Sequence, residues 1–149
     1  MLSQDLVLLD IDCASSDEVI RTLAQKFVEA GVVKESFVNA VAEREKVYPT
    51  ALPATAFPIA IPHTVSEHVI TPAIGVGILR HPVEFSQMGS PEIKLQPEMV
   101  IMLAIKDPKE QLGLLRKMMK LIQNEGLLKA VKASGSKEEV CTLFNDALK

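Results

Sequence analysis

The chain has no tryptophan, one tyrosine and five phenylalanines. So few flat rings argue against a surface that stacks nucleobases or holds sugar rings. Its two cysteines, Cys13 and Cys141, stand far apart and form no CxxC pair. That excludes a zinc knuckle or a disulfide framework and leaves both as reduced packing residues. Basic charge is not in excess: sixteen Lys and Arg face nineteen Asp and Glu, a formal charge of −3, so no nucleic-acid partner is expected. Long apolar runs are missing too. Met99 to Ile105 falls far short of the ~20 residues that span a bilayer. The opening Met1-Leu2-Ser3-Gln4-Asp5 has neither the basic nor the apolar region of a signal peptide. The expectation is a cytoplasmic protein with no direct membrane insertion.

The chain does have 149 residues, of which 48% are apolar. That suffices for one hydrophobic core, and a single domain over residues 1–149 is expected. Leu6 to Ile11 reads as a strand. Ser15-Ser16-Asp17-Glu18 has the spacing of a capping box and opens a helix with Val19, Ile20, Leu23, Ala24, Phe27 and Val28 on one face and Gly31 past its end. A second helix is predicted over Glu35 to Lys46, stopped by Tyr48-Pro49-Thr50, with a loop through Pro53 to Ala56. Phe57 to Ile61 reads as a buried strand that ends in the turn Pro62-His63-Thr64. Thr64-Val65-Ser66-Glu67 repeats the capping-box spacing and predicts a short helix directly after His63.

Ala73 to Leu79 alternates as a strand, its Gly75 and Gly77 allowing close approach to the sheet. Val83 to Phe85 reads as a short edge strand, Ser86 to Pro97 as an excursion, and Met99 to Ile105 as the strongest strand. Asp107-Pro108 opens a long helix with Leu112, Leu115, Met119 and Ile122 inward and Gly126 beyond its end. A short helix over Leu127 to Ala133 follows. Ser136 then caps a terminal helix that buries Val140, Leu143, Phe144, Ala147 and Leu148. Strands interleaved with helices point to an α/β fold, a three-layer domain with a mixed sheet.

Of the three histidines, His63 is the one placed at the carboxyl end of a buried strand and before a helix start, where α/β sheets take ligands and where unpaired N–H groups face outward. Such a terminus favours an added anion and disfavours the imidazolium, which keeps the ring neutral and nucleophilic. A neutral imidazole could attack a phosphoryl group, and the phosphohistidine would be held by the amides from Thr64 onward and by the Thr64 hydroxyl. An inert turn histidine is the alternative that this placement leaves open. A zinc site of His63, Glu67 and His68 matches no standard ligand spacing, so no metal is expected. Asp10 and Asp12 read as solvated turn residues, and His81 as structural.

The stretch Phe57-Pro58-Ile59-Ala60-Ile61-Pro62-His63-Thr64 resembles the active-site segment of the mannitol/fructose-type IIA components of the bacterial phosphoenolpyruvate:sugar phosphotransferase system (PTS). Upstream, Arg44-Glu45-Lys46-Val47-Tyr48-Pro49-Thr50 is similar to that family's R-E-x-x-x-P-T lead-in. Downstream, Met99 to Ile105, Asp107-Pro108 and Gln111-Leu112-Gly113-Leu114-Leu115 are similar to its strand and long helix. The likeness covers essentially the whole chain.

The resemblance implies a five-stranded mixed sheet with helices on both faces, and a phosphoryl carrier. His63 would take the group from the phosphohistidine of HPr and pass it to a cysteine of a IIB component, which serves the membrane component IIC. No cofactor is implied. Arg44 is implied beside the histidine, where a guanidinium fork matches phosphate oxygens; a solvated cation near a helix end is its alternative. Many mannitol-type members carry a second active-site histidine where this chain has Gln111. A histidine five residues after the first, here His68, looks more like the galactitol-type branch, and His68 would bond His63 or its phosphate; a surface histidine is its alternative. A PTS regulatory module, whose His63 phosphorylation signals sugar flux to a partner protein, is the other reading. The partner surface is expected on the apolar rim around His63, with Pro58, Ile59 and Val65 as candidates.

Overall fold

The computed structural model describes residues 2–148, apart from the side chains of Pro108 and Gln111. Strand β1 (Leu2–Ile11) leads into helix α1 (Ser16–Glu29). The Ser15 hydroxyl accepts from the Glu18 N–H at 3.2 Å, while the Glu18 carboxylate reaches back to the Ala14 N–H at 3.1 Å. Gly31 adopts φ +75° just past the helix, the left-handed geometry that ends α1 without steric penalty. Helix α2 (Ser36–Val47) packs on α1, with Phe27 and Phe37 stacked at 5.7 Å between ring centres.

Two-residue strands β2 (Ala51–Leu52) and β3 (Ile59–Ala60) follow, then β4 (Ala73–Leu79), β5 (Phe85–Gln87), β6 (Ser90–Leu95) and β7 (Met99–Ala104). Helices α3 (Pro108–Leu121), α4 (Glu125–Ala133) and α5 (Lys137–Ala147) complete the described chain. The strands form one mixed sheet of seven in the order β1-β4-β7-β3-β2-β5-β6. β1 runs parallel to β4, and β4 antiparallel to β7, while β3 runs parallel to β7.

β4 and β7 are buried along their whole length, as central strands covered on both faces must be. Residue parity shows the two covers. A side chain at Gly75 or Gly77 would meet Phe27 or come close to Leu23 of α1, whereas Ile74, of opposite parity, borders α3. His63 lies at the carboxyl end of β3, beside the central strand β7.

Several expectations need correction. The sheet has seven strands where five were implied. The two additional pairings lie in short or exposed elements: β2 has two residues, and β6 is an exposed edge strand that turns back at Gly89, φ +77°. The strand expected over Phe57 to Ile61 keeps regular pairing only at Ile59 and Ala60. Gly126 lies beyond the end of α3 as expected, but α4 starts at Glu125 rather than Leu127 and includes it, because the Asn124 side chain caps that helix by accepting from the Leu127 N–H at 3.1 Å. On α3 the core takes Met118, Leu121 and Ile122, with Leu114 and Leu115 packed against it, so Leu115 and Ile122 face inward as expected while Leu112 and Met119 are exposed. Ala147 of α5 is exposed, and Leu148 closes that apolar face.

Candidate active site

His63 is 8% exposed, and its ring Nδ1 lies 2.9 Å from the Ile61 carbonyl oxygen. A carbonyl only accepts, so Nδ1 carries the proton and Nε2 keeps its lone pair. Burial pushes the ring's pKa below its ordinary value, the bond to Ile61 pulls the other way, and the nearby Arg44 guanidinium adds to the lowering. Desolvation prevails, and the ring is held as the neutral Nδ1–H tautomer. This is the protonation state and orientation in which an imidazole attacks through Nε2.

The ring lines a cavity of about 360 Å³. Arg44, Tyr48, Pro49 and Thr50 reach it from the end of α2, Met88 from the β5–β6 turn, and Leu115 and Met119 from α3. The Arg44 guanidinium stacks over the Tyr48 ring at 4.9 Å, one helical turn on, which fixes a flexible cation beside the histidine. Its Nε is buried and has no hydrogen-bond partner among the described residues. A buried donor left unpaired is unfavourable by about 1–3 kcal/mol, and an anionic oxygen in the cavity is the partner it suits.

The helix expected directly after His63 is a single 3₁₀ turn over Ser66–His68, and its N-cap, Val65, makes no side-chain bond. The capping-box spacing from Thr64 to Glu67 therefore does not form, and no helix terminus stands behind the ring. The chain stays extended because it is held on both sides: Leu103 N–H donates to the Pro62 carbonyl, and Val69 bridges Val33. The backbone N–H groups of His63, Thr64 and Val65 donate to no protein group among the described residues. Thr64 is buried beside the histidine but does not line the cavity.

His68 is engaged elsewhere. Its Nδ1 pairs with the Ser36 hydroxyl at 2.8 Å and its Nε2 lies 3.4 Å from the Glu67 carboxylate. The structure thus brings His63 and Arg44 together and leaves His68 outside their cavity. The Gln111 side chain lies outside the described residues. Asp10 and Asp12 both pair with Arg80, at 2.8 and 3.0 Å, with His81 beside Asp12 at 3.3 Å, all on the surface. Of the rim residues expected from sequence, Val65 is exposed and Pro58 half-buried, but Ile59 is fully buried in the sheet.

Sequence reasoning missed Glu45. Its carboxylate accepts from the Thr50 N–H at 2.8 Å and from the Thr50 hydroxyl at 2.7 Å. Burial nonetheless lifts its pKa to about 7 against those two bonds. The signal was present, since Glu45 and Thr50 are the E and T of the R-E-x-x-x-P-T block.

Fold and cavity together define an α/β domain of the kind that offers a desolvated histidine nitrogen to an anionic group. The family model for the phosphoenolpyruvate-dependent sugar phosphotransferase system, EIIA 2, matches residues 1–147, and the chain belongs to that family. It is 29% identical over 147 residues to the mannitol-specific EIICBA component of the PTS of Pasteurella multocida, covering 97% of this chain and 22% of that protein. The chain therefore spans about a fifth of that relative's length. It is 29% identical over 106 residues to the galactitol-specific EIIA component of Escherichia coli K12, covering 71% of this chain and 70% of that one. The fold is similar to that of enzyme IIA mannitol in a complex with phosphorylated enzyme IIB mannitol from Escherichia coli, with a TM-score of 0.81 and 21% identity over 98% of each chain.

Proposed function

We propose that the chain is one EIIA domain that carries a phosphoryl group on Nε2 of His63, accepting it from phosphorylated HPr and passing it to a cysteine of a IIB component. It acts in the cytoplasm, in uptake of a sugar of the kind its relatives are named for. The observation that carries this reading is the 2.9 Å bond between His63 Nδ1 and the Ile61 carbonyl, in a ring that shares its cavity with Arg44.

In the exchange, the Nε2 lone pair of His63 attacks phosphorus. The nitrogen–phosphorus bond of the donor phosphohistidine breaks, and its electron pair returns to the donor nitrogen. The Nδ1 proton stays on His63, so the phosphorylated ring is an imidazolium, and the Ile61 carbonyl stabilises the positive charge that develops there. Arg44 disfavours a bare imidazolium, but it faces the equatorial oxygens of the transferring group, where negative charge is spread. The free amides from His63 to Val65 offer further donors. Transfer to IIB reverses these steps, with a thiolate as the attacking group.

The partner face is apolar. Tyr48, Met88, Leu112 and Met119 are exposed, and all but Leu112 line the cavity around His63. An exposed apolar cluster of this kind suits a transient protein contact.

Incubation with phosphoenolpyruvate, enzyme I and HPr is expected to add one acid-labile, base-stable phosphoryl group to the chain and none to H63A. Undiminished labelling of H63A overturns the assignment. Genuine transfer also requires the label to leave when a IIB component is added; a label that stays and instead changes binding to a regulatory protein supports the signalling reading.

A further inference from the structure

Arg44 and Glu45 are neighbours on α2, so their side chains leave the helix about 100° apart. Arg44 faces the His63 cavity. Glu45 faces a smaller cavity among Ile20, Ala42 and Phe85, and plays no part in the chemistry above. Its two carboxylate oxygens hold both donors of Thr50. The Thr50 carbonyl accepts from the Ile61 N–H at 3.3 Å, and the Ile61 carbonyl accepts from His63 Nδ1 at 2.9 Å. Four residues are thereby joined in one hydrogen-bonded line from a buried carboxylate to the nucleophile.

We propose that Glu45 is a positioning residue for phosphoryl transfer: by clamping Thr50 it sets the backbone at Ile61, whose carbonyl fixes the tautomer and orientation of His63. This deepens the proposed function and rests on it. The line transmits position and not charge, because the N–H and C=O that each of Thr50 and Ile61 contributes belong to different peptide units. A shift of Thr50 moves the Ile61 carbonyl, and a carbonyl out of reach of Nδ1 lets the proton move to Nε2, which removes the lone pair. The other charged side chains around Glu45 are Asp17 of α1 and Lys46 of α2, which line the same small cavity, with Arg44 adjacent in sequence. Neither Asp17 nor Lys46 is in the line to His63.

A carboxylate accepts both Thr50 bonds, whereas a glutamine amide accepts one and sets an N–H₂ against the other donor. E45Q and T50V therefore each remove one of the two bonds at the Glu45–Thr50 link, the first from the carboxylate side and the second from the hydroxyl side, and T50S keeps both. The test measures acceptance from phosphorylated HPr and the ¹⁵N spectrum of the His63 ring in each variant. E45Q and T50V are expected to lower kcat about tenfold, a modest fraction of what small misplacements can cause, with KM for phosphorylated HPr within about twofold. Their ring spectra should change from the Nδ1–H form to a mixture of tautomers, while T50S matches the wild type.

A folded E45Q or T50V with wild-type kcat and an unchanged Nδ1–H signal overturns the proposal. So does a fall in kcat without a change of tautomer, because a simple clamp on the loop after α2 would act that way. If one variant fails to fold, the other decides. A wild-type chain that accepts no phosphoryl group refutes the proposed function instead, and the ring spectra alone then judge whether Glu45 positions His63.

Discussion

Replacing Glu45 by glutamine removes a titrating group from the interior with little change of shape, and the consequence for stability can be worked through. The carboxyl's ordinary pKa of 4.5 is raised to about 7 in the folded chain. Between those values the native state keeps a proton that the unfolded chain has released, so native stability falls as pH rises, by about 1.4 kcal/mol per pH unit. The stabilising contribution is complete below pH 4.5 and is lost as pH passes through about 7, a total of ~3 kcal/mol. Glutamine has no proton to lose. The stability of E45Q relative to the wild type should therefore rise by ~3 kcal/mol from about pH 4.5 to about pH 8.

Urea midpoints at a series of pH values measure this directly, and other titrating groups, His63 included, cancel in the difference. Parallel curves for the two proteins would refute the reasoning, because they would mean that desolvation of Glu45 is already offset by its bonds to Thr50. The same curves give the midpoint of E45Q at the pH of the transfer assay, so a loss of transfer is read where the variant is folded.

At Gly75 an added Cβ would lie 2.4 Å from Cε1 of Phe27, whose ring is backed by Phe37. G75A should lower stability by about 3 kcal/mol in the same urea assay, the upper end for overpacking a filled core; a wild-type midpoint contradicts it. The burial-lowered pKa of His63 predicts an NMR titration midpoint below 6.5 and an acid limb of phosphoryl acceptance that also lies below it. The sign follows from the native ring resisting a proton that the unfolded chain takes up: His63's contribution to stability is present above pH 6.5 and is lost as pH falls through its lowered pKa. A midpoint at or above 6.5 would mean that the ring is more solvated than its burial indicates.

Strong periodicity made the central elements legible. Ala73 to Leu79 forms a strand with the boundaries its alternation predicted, and Ser15 opens α1 through the hydroxyl bond its spacing predicted. Elements with no apolar signal escaped. β6 is exposed along most of its six residues, so no hydrophobic alternation marked it, and only Gly89 hinted at the hairpin. On α3 two apolar stripes compete: Leu114, Met118 and Leu121 meet the core, while Leu112 and Met119 are exposed and Leu115 both packs on the core and lines the His63 cavity. A period of 3.6 finds both stripes and cannot rank them. The capping-box spacing after His63 misled for a tertiary reason. Bonds from Leu103 and the bridge to Val33 hold the flanking backbone extended, leaving room for one 3₁₀ turn. His63 stood out because a histidine after a buried strand is conspicuous; Glu45 did not, because its contact with Thr50 is one that no helical periodicity reports.

The block Arg44 to Thr50 becomes intelligible once the end of α2 is seen as a corner with two inner faces. Helical geometry carries Arg44 to Tyr48, four residues on, and the ring of Tyr48 holds the guanidinium over the cavity. Pro49 cannot continue the helix, so Thr50 leaves it at an angle that lets Glu45 take both of its donors. One pair of sequence neighbours thus faces two separate sides of the corner. One brings positive charge to where a phosphoryl group would sit, and the other sets the backbone whose carbonyl orients the attacking nitrogen. Exchanging Arg44 and Glu45 would preserve composition, net charge and helix propensity, yet it would place a carboxylate against the incoming anion and bury a guanidinium against two N–H and O–H donors. The order of those two residues, more than their presence, is what the site requires.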